Sequence, residues 1–127
     1  MDRHTMRVIG IGFRGAADLS SLQNALQKVL ATAGTGGIDA LVTEAAKSRE
    51  KVFRELAQVV GVPGLGVSAH DLGQMITPTQ SDRIQDRFGT GSLAEATALA
   101  AAGPEAQIVV RRVVSDDAMA TAALAEG

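Results

Sequence analysis

Apolar and polar positions change period several times along the chain, and each change marks an element. Residues 6–12, MRVIGIG, form a short and almost continuous apolar run, the pattern of a strand buried on both faces. Gly10 and Gly12 stand at its end, where glycine permits a sharp turn. Leu22, Leu26, Val29, Leu30 and Ala33 then recur at helical spacing, with Gln23, Asn24, Gln27 and Lys28 between them. Asp18 is the expected N-cap, with Ser20 and Ser21 as alternatives, and the glycines at 34, 36 and 37 stop the helix. Residues 38–43 read as a second strand and 44–60 as a second amphipathic helix. The apolar side of that helix is Ala45, Ala46, Val52, Phe53, Leu56, Ala57 and Val60. Lys47, Glu50, Lys51, Arg54 and Glu55 form its polar side, and Glu50–Arg54 and Lys51–Glu55 have the spacing of ion pairs.

Residues 65–69 read as a third strand and 71–75 as a short helical turn. The polar run 79–87 reads either as a loop over a site or as a plain surface connection. Ser92 with Glu95 fits a capping box, S-x-x-E, at the start of a helix over 93–102. Gln107 to Val114 is a β-branched strand, and Ser115-Asp116-Asp117 is turn chemistry. Residues 119–125 are ambiguous: their alanines favour helix, while their place after a turn favours the second arm of a hairpin. The order predicts a single α/β domain over 1–127. Its sheet is mostly parallel or mixed, with about five strands flanked by helices and a C-terminal β-hairpin. Ligands of such sheets sit at the carboxyl ends of the strands.

Composition narrows the function classes. The net charge is −2, there is no Trp or Tyr, and there are three Phe among 127 residues. The chain therefore lacks both the cationic excess and the aromatic platforms of a nucleic-acid binder. Cysteine is absent, which excludes disulfides and thiolate sites and fits a cytoplasmic protein. No run is long enough to span a bilayer, so no membrane partner is expected. His4 and His70 are far apart in sequence and suggest no metal site. No cofactor is expected either.

Residues 10–15, GIGFRG, spell G-x-G-x-x-G, the dinucleotide fingerprint. That fingerprint places its third glycine at the helix start, whereas Gly15 is followed by Ala-Ala-Asp-Leu-Ser before the helical period settles. Its acidic ribose partner would be Glu44, farther along than usual, and there is no P-loop G-K-[ST]. A small nucleotide-binding domain is thus the more distant alternative.

Several motifs together resemble one family. GIGFR at 10–14 is similar to its opening loop, and TEAAK at 43–47, with Glu50 three residues on, to its second strand-to-helix junction. GTGSLAEATAL at 89–99 resembles its G-x-x-S-V-A-E-A-A-A-L run, and TAALA at 121–125 its closing T-x-A-x-A strand. This is the CobE family, also seen as the C-terminal domain of CbiG, in cobalamin biosynthesis. The free-standing length resembles CobE. The family often has a second basic residue after the first Arg, where this chain has Gly15. The resemblance favours strand over helix for 119–125.

The resemblance implies a protein that binds or carries a corrin-ring (tetrapyrrole) intermediate or assists a pathway enzyme. Such rings carry many carboxylates, so a binding face needs cations and N–H donors. The expected ligand-binding residues are Gly10, Gly12, Arg14, Thr43, Glu44, Lys47, Ser68, Gly91, Ser92 and Glu95. Each also has a plain structural reading. Arg14 can pair with a surface carboxylate, Lys47 can lie on a solvated face, and Ser92 and Glu95 can be only a cap. Glu44 can stabilise a helix start, and His70 can be simply solvated. By analogy with lactone opening in CbiG, the alternative is a hydrolase acting on a precorrin intermediate. Glu44, Glu50 or His70 would then be the base, although no nucleophile–base–orienter set is recognisable.

Overall fold

A computed structural model describes residues 6–34, 36–80 and 92–127. Strand β1 (Arg7–Phe13) is the middle of a five-stranded sheet with β2 (Ala40–Glu44), β3 (Gly64–Val67), β4 (Gln107–Val114) and β5 (Ala120–Glu126), in the order β3-β2-β1-β5-β4. β1, β2 and β3 run parallel, and β5 is antiparallel to both β1 and β4. Helix α1 (Leu19–Ala33), a 3-10 helix at Lys47–Arg49, α2 (Lys51–Val60), the short α3 (Ala69–Leu72) and α4 (Leu93–Ala102) complete the described elements. The fold is the expected α/β class, with a mixed sheet and a C-terminal hairpin.

The apolar run of β1 serves two cores because successive side chains point to opposite faces. Ile9, Ile11 and Phe13 meet Leu22, Leu26 and Val29 of α1 and Phe53 and Leu56 of α2. On the other face Val8 packs with Ala98, Ala102 and Ala125, and Val42 packs with Leu72, Leu93 and Ala96. α1 and α2 are amphipathic and cover one face. α4 is different: residues 92 to 98 are all buried, as expected of a helix that is apolar all round.

α4 lies almost directly on the backbone of β1. A Cβ added at Gly10 would stand 1.9 Å from the Ala94 carbonyl oxygen and 2.4 Å from Thr97 Oγ1. Strand β1 therefore runs straight through Gly10 and Gly12, and the turn expected there falls instead after Phe13. The reason is packing: these glycines remove side chains from beneath a helix. The second helix also starts later than its periodicity suggests. Glu50 adopts an extended backbone (φ −72°, ψ 142°) between the 3-10 helix and α2. Its carboxylate pairs with Lys47 at 3.4 Å, and among the described residues the expected Glu50–Arg54 and Lys51–Glu55 pairs are not formed. The third strand ends at Val67 and the short helix begins at Ala69, earlier than expected, because Ser68 caps it by accepting from Asp71 N at 3.2 Å. Residues 119–125 resolve as strand: seven residues of β5 register against β1 from Arg7↔Glu126 to Phe13↔Ala120.

A polar cluster ties the N-terminus of α1 to the β4–β5 turn. Asp18 caps α1 by accepting from Ser21 N at 3.0 Å, and the Ser21 hydroxyl reaches Asp117 at 2.5 Å. Ser115 Oγ donates to Asp117 at 2.6 Å, and Asp117 accepts from Met119 N at 3.0 Å. Lys28 pairs with Asp116 at 2.6 Å. These donors hold all three carboxyls below the ordinary carboxylate value: chiefly the Ser20 hydroxyl for Asp18, Lys28 for Asp116 and the Ser115 hydroxyl for Asp117.

Gly10→Ala lowers stability toward the upper end of the ~1–3 kcal/mol typical of overpacked cores, seen as a reduced urea midpoint. Gly15→Ala leaves it nearly unchanged, because a Cβ there meets nothing within 4 Å. The three depressed carboxyls contribute stability that is complete above the unfolded value of about 4 and fades as pH falls through the lower folded values. The urea midpoint therefore drops on acidification below about pH 4, and Asp117→Asn flattens that drop.

Candidate functional site

The parallel strands end together at one edge of the sheet, and most of the charged candidates lie there. Arg14 is the first residue beyond β1. Its backbone N–H donates to Met119 O at 2.9 Å, and its carbonyl accepts from Ala17 N at 3.0 Å. The main chain is thus fixed, while the guanidinium is exposed and has no hydrogen-bond or ion-pair partner among the described residues. The structural alternative for Arg14, a pair with a surface carboxylate, is not formed there.

Lys47 opens the 3-10 helix that follows β2. Its ammonium stands 4.8 Å from the ring centroid of Phe13, the last residue of β1. Phe13 in turn stacks on Phe53 with centroids 6.5 Å apart and planes within 5°. The ring thus offers its face to the cation. Glu50 completes the setting at 3.4 Å, and the Lys47 side chain remains 22% exposed. Arg14 and Lys47 therefore flank the same strand end through consecutive residues, Phe13 and Arg14.

Glu44 ends β2 and folds back as a cap, accepting from Ala46 N at 3.1 Å and Lys47 N at 3.3 Å. A carboxylate at this start satisfies amides that the 3-10 helix leaves open. Ser68 and His70 are exposed at the end of β3, with the Ser68 oxygen engaged as a cap. The N-terminus of α4 reaches the same edge, because Leu93 lies above Gly12. Ser92 caps it, accepting from Glu95 N at 3.4 Å.

Other nominated residues are spent on the fold. The Thr43 hydroxyl is buried and donates to Ile11 O at 2.7 Å. Gly10 and Gly12 lie beneath α4. Glu95 is fully buried, and the return half of its expected capping box is not made. Its carboxylate turns instead to Thr79 and to the Arg112 amide. Gly91 and His4 lie outside the described residues, as does most of the polar run 79–87 from 81 onward.

Glu44, Glu50 and His70 do not form an acid–base set with one another. Glu44 holds amides, Glu50 holds Lys47, and His70 stands on a different strand end. Among the described residues no group of three His, Cys, Asp or Glu side chains could hold a metal ion, and no helix is long and apolar enough to cross a membrane. A shallow open groove lies at the opposite end of α4, lined by Met75, Ile76, Leu99, Gly103 and Pro104 among others. None of the nominated residues lines it.

The sequence did not reveal Thr79 and Arg112, which share the Glu95 carboxylate. They lie 16 and 17 residues from it, beyond any local pattern. The only local trace is the adjacent pair Arg111-Arg112 in an otherwise apolar strand.

No curated protein matches this chain. Solved structures do. One is CobE, a protein from the cobalamin (vitamin B12) biosynthetic pathway: TM-score 0.86 and 26% identity, covering 100% of this chain and 94% of that one. A second is the cobalamin biosynthesis protein chiG from Agrobacterium tumefaciens str. C58, with TM-score 0.71, 30% identity and coverage of 94% and 97%. A third is a cobalamin biosynthesis protein G homologue from Sulfolobus solfataricus, with TM-score 0.72. It is 17% identical, and the match covers 98% of this chain but 37% of that one, so the likeness is one of fold. The family described as cobalamin synthesis G C-terminus matches residues 7–125. The α/β fold with its closing hairpin, the motifs in their order and this near-complete match lead to one conclusion: the chain belongs to the cobalamin synthesis G C-terminus family, a family of cobalamin biosynthesis.

Proposed function

We propose that the chain binds a polycarboxylate corrin-ring intermediate at the edge formed by the carboxyl ends of β1, β2 and β3, and holds it for a pathway enzyme. The observation that supports this most is the Arg14 guanidinium, exposed and, among the described residues, unpartnered on an anchored backbone. A guanidinium in that state keeps all its donors for a ligand and matches a carboxylate bidentately. Lys47 adds a second cation beside the same strand end, with its ammonium over an aromatic ring. The ring of Phe13 gives that cation a fixed position, and Glu50 is its exchangeable partner. Membership in a family of cobalamin biosynthesis supports a corrin-ring ligand, and the acetate and propionate groups of such rings call for cations at a binding edge.

Binding is tested with cobyrinic acid, followed by its visible absorbance, in which a protein without Trp or Tyr does not interfere. Micromolar binding that weakens with added salt is expected. Absence of retention at tens of micromolar would overturn the reading. Arg14→Ala should weaken binding by roughly tenfold, the scale of one charge-assisted hydrogen bond, with an unchanged urea midpoint. A Cβ at Gly15 meets nothing within 4 Å, and Gly15→Arg restores the second basic residue common in the family. It should tighten binding several-fold, and weaker binding would place the ligand elsewhere.

A further inference from the structure

Glu95 is the buried ionisable group that the binding reading leaves without a task. It sits in the first turn of α4 with no exposed surface. Oε1 accepts from Thr79 N at 2.8 Å, and Oε2 accepts from Thr79 Oγ1 and from Arg112 N, each at 2.8 Å. The Arg112 amide is available because β4 is irregular there. Val110 registers with Leu124 and Val113 with Ala122, so Arg111 and Arg112 together face Ala123. Such a bulge takes an N–H out of the ladder, and a buried amide needs another acceptor.

Among the described residues, segment 77–80 has few other ties. Ile76 before it is 91% exposed, and Pro78 and Gln80 are exposed, while Thr77 is buried. Thr77 Oγ1 donates to Thr79 O at 2.9 Å, and the Gln80 side-chain amide donates to Thr77 O at 2.8 Å, so these bonds are internal to the segment. One further tie runs from Arg111 to Pro78 O at 3.3 Å, on the surface. A segment with few buried apolar contacts has low local stability, and here that stability is concentrated on one carboxylate.

We propose that Glu95 is a latch: it fastens residues 77–80, as a strap, to α4 and to the β4 bulge, and the strap opens as a unit while the sheet stays folded. Opening frees the Thr79 and Arg112 amides together and uncovers the outer side of α4 around Glu95. A carboxylate suits this task better than an amide. All three partners approach it as donors, two of them backbone N–H groups on different oxygens. A glutamine has one acceptor oxygen, so its NH2 must face one of those two amides and leave it unpaired. This inference stands apart from ligand binding at the strand ends.

Native-state hydrogen exchange on the full chain, at increasing sub-denaturing urea, tests it. In the unaltered protein the Thr79 and Arg112 amides should exchange at a common rate that hardly depends on urea. That rate should be at least tenfold faster than for the amide of Leu41, a buried β2 residue bonded to Pro63 O at 3.0 Å just before β3. Glu95→Gln should accelerate both amides at least a further tenfold, with Leu41 still protected. If both amides match Leu41 in rate and urea dependence, the strap is no separate unit and the proposal fails. It fails equally if Glu95→Gln changes neither rate by more than twofold. Should that variant not fold, the unaltered protein decides alone.

Discussion

Helix α4 rests on bare backbone. Where most helices stand off a sheet by the length of two side chains, this one meets β1 at Gly10 with no room for a methyl group. The close approach dictates much of what surrounds it. The underside must be small, hence Ala94 and Ala98. A helix set this deep has its remaining sides covered too, by Val67, Leu72 and Met75 among others, so it carries no polar face. The contact also sets the axial position of α4, so that its capped N-terminus comes to the edge where the parallel strands end. The wrapping is close-packed and depends on many weak dispersion contacts, which is why a single added carbon matters more here than at Gly15.

At that edge the charged groups divide by how much of their bonding capacity the fold consumes. Glu44 spends its oxygens on two amides at the start of the 3-10 helix. Lys47 is steadied by the Phe13 ring and by Glu50 but remains partly open. Arg14 alone of these combines a tethered main chain with an uncommitted side chain. A cation with no internal partner adds nothing to the stability of the fold through pairing. Its donors stay open to an anionic group from outside.

Asp117 and Glu95 each hold distant parts of the chain together by collecting donors. Asp117 gathers the hydroxyls of Ser21 and Ser115 and the Met119 amide, locking α1 to the hairpin turn. Glu95 gathers Thr79 and Arg112 in the same manner, but inside the protein. The first is at the surface, where water competes for each bond. The second is buried, where an unmet donor is costly and the bonds are therefore more consequential.

The amino-acid order by itself determined the element sequence, the α/β class and the family likeness. Helical spacing at Leu22, Leu26 and Val29, the Asp18 cap and the β-branched run at 107–114 are local, and local physics places them. That Arg14 and Lys47 follow the carboxyl ends of neighbouring parallel strands also followed from the fold class. Tertiary structure alone decided the rest. GIG at 10–12 reads as a turn because glycine permits one, yet here glycine is needed by a helix more than 80 residues later in the sequence. Glu95 reads as half of a capping box because the spacing fits, yet stronger donors arrive from Thr79 and a bulged strand. Residues 119–125 have alanines enough for a helix, and pairing with both β1 and β4 makes them a strand. In each case a partner remote in sequence takes part (α4 for the glycines, Thr79 and Arg112 for Glu95, β1 for β5), and local propensity differences of roughly a few tenths of a kcal/mol per residue do not decide the outcome.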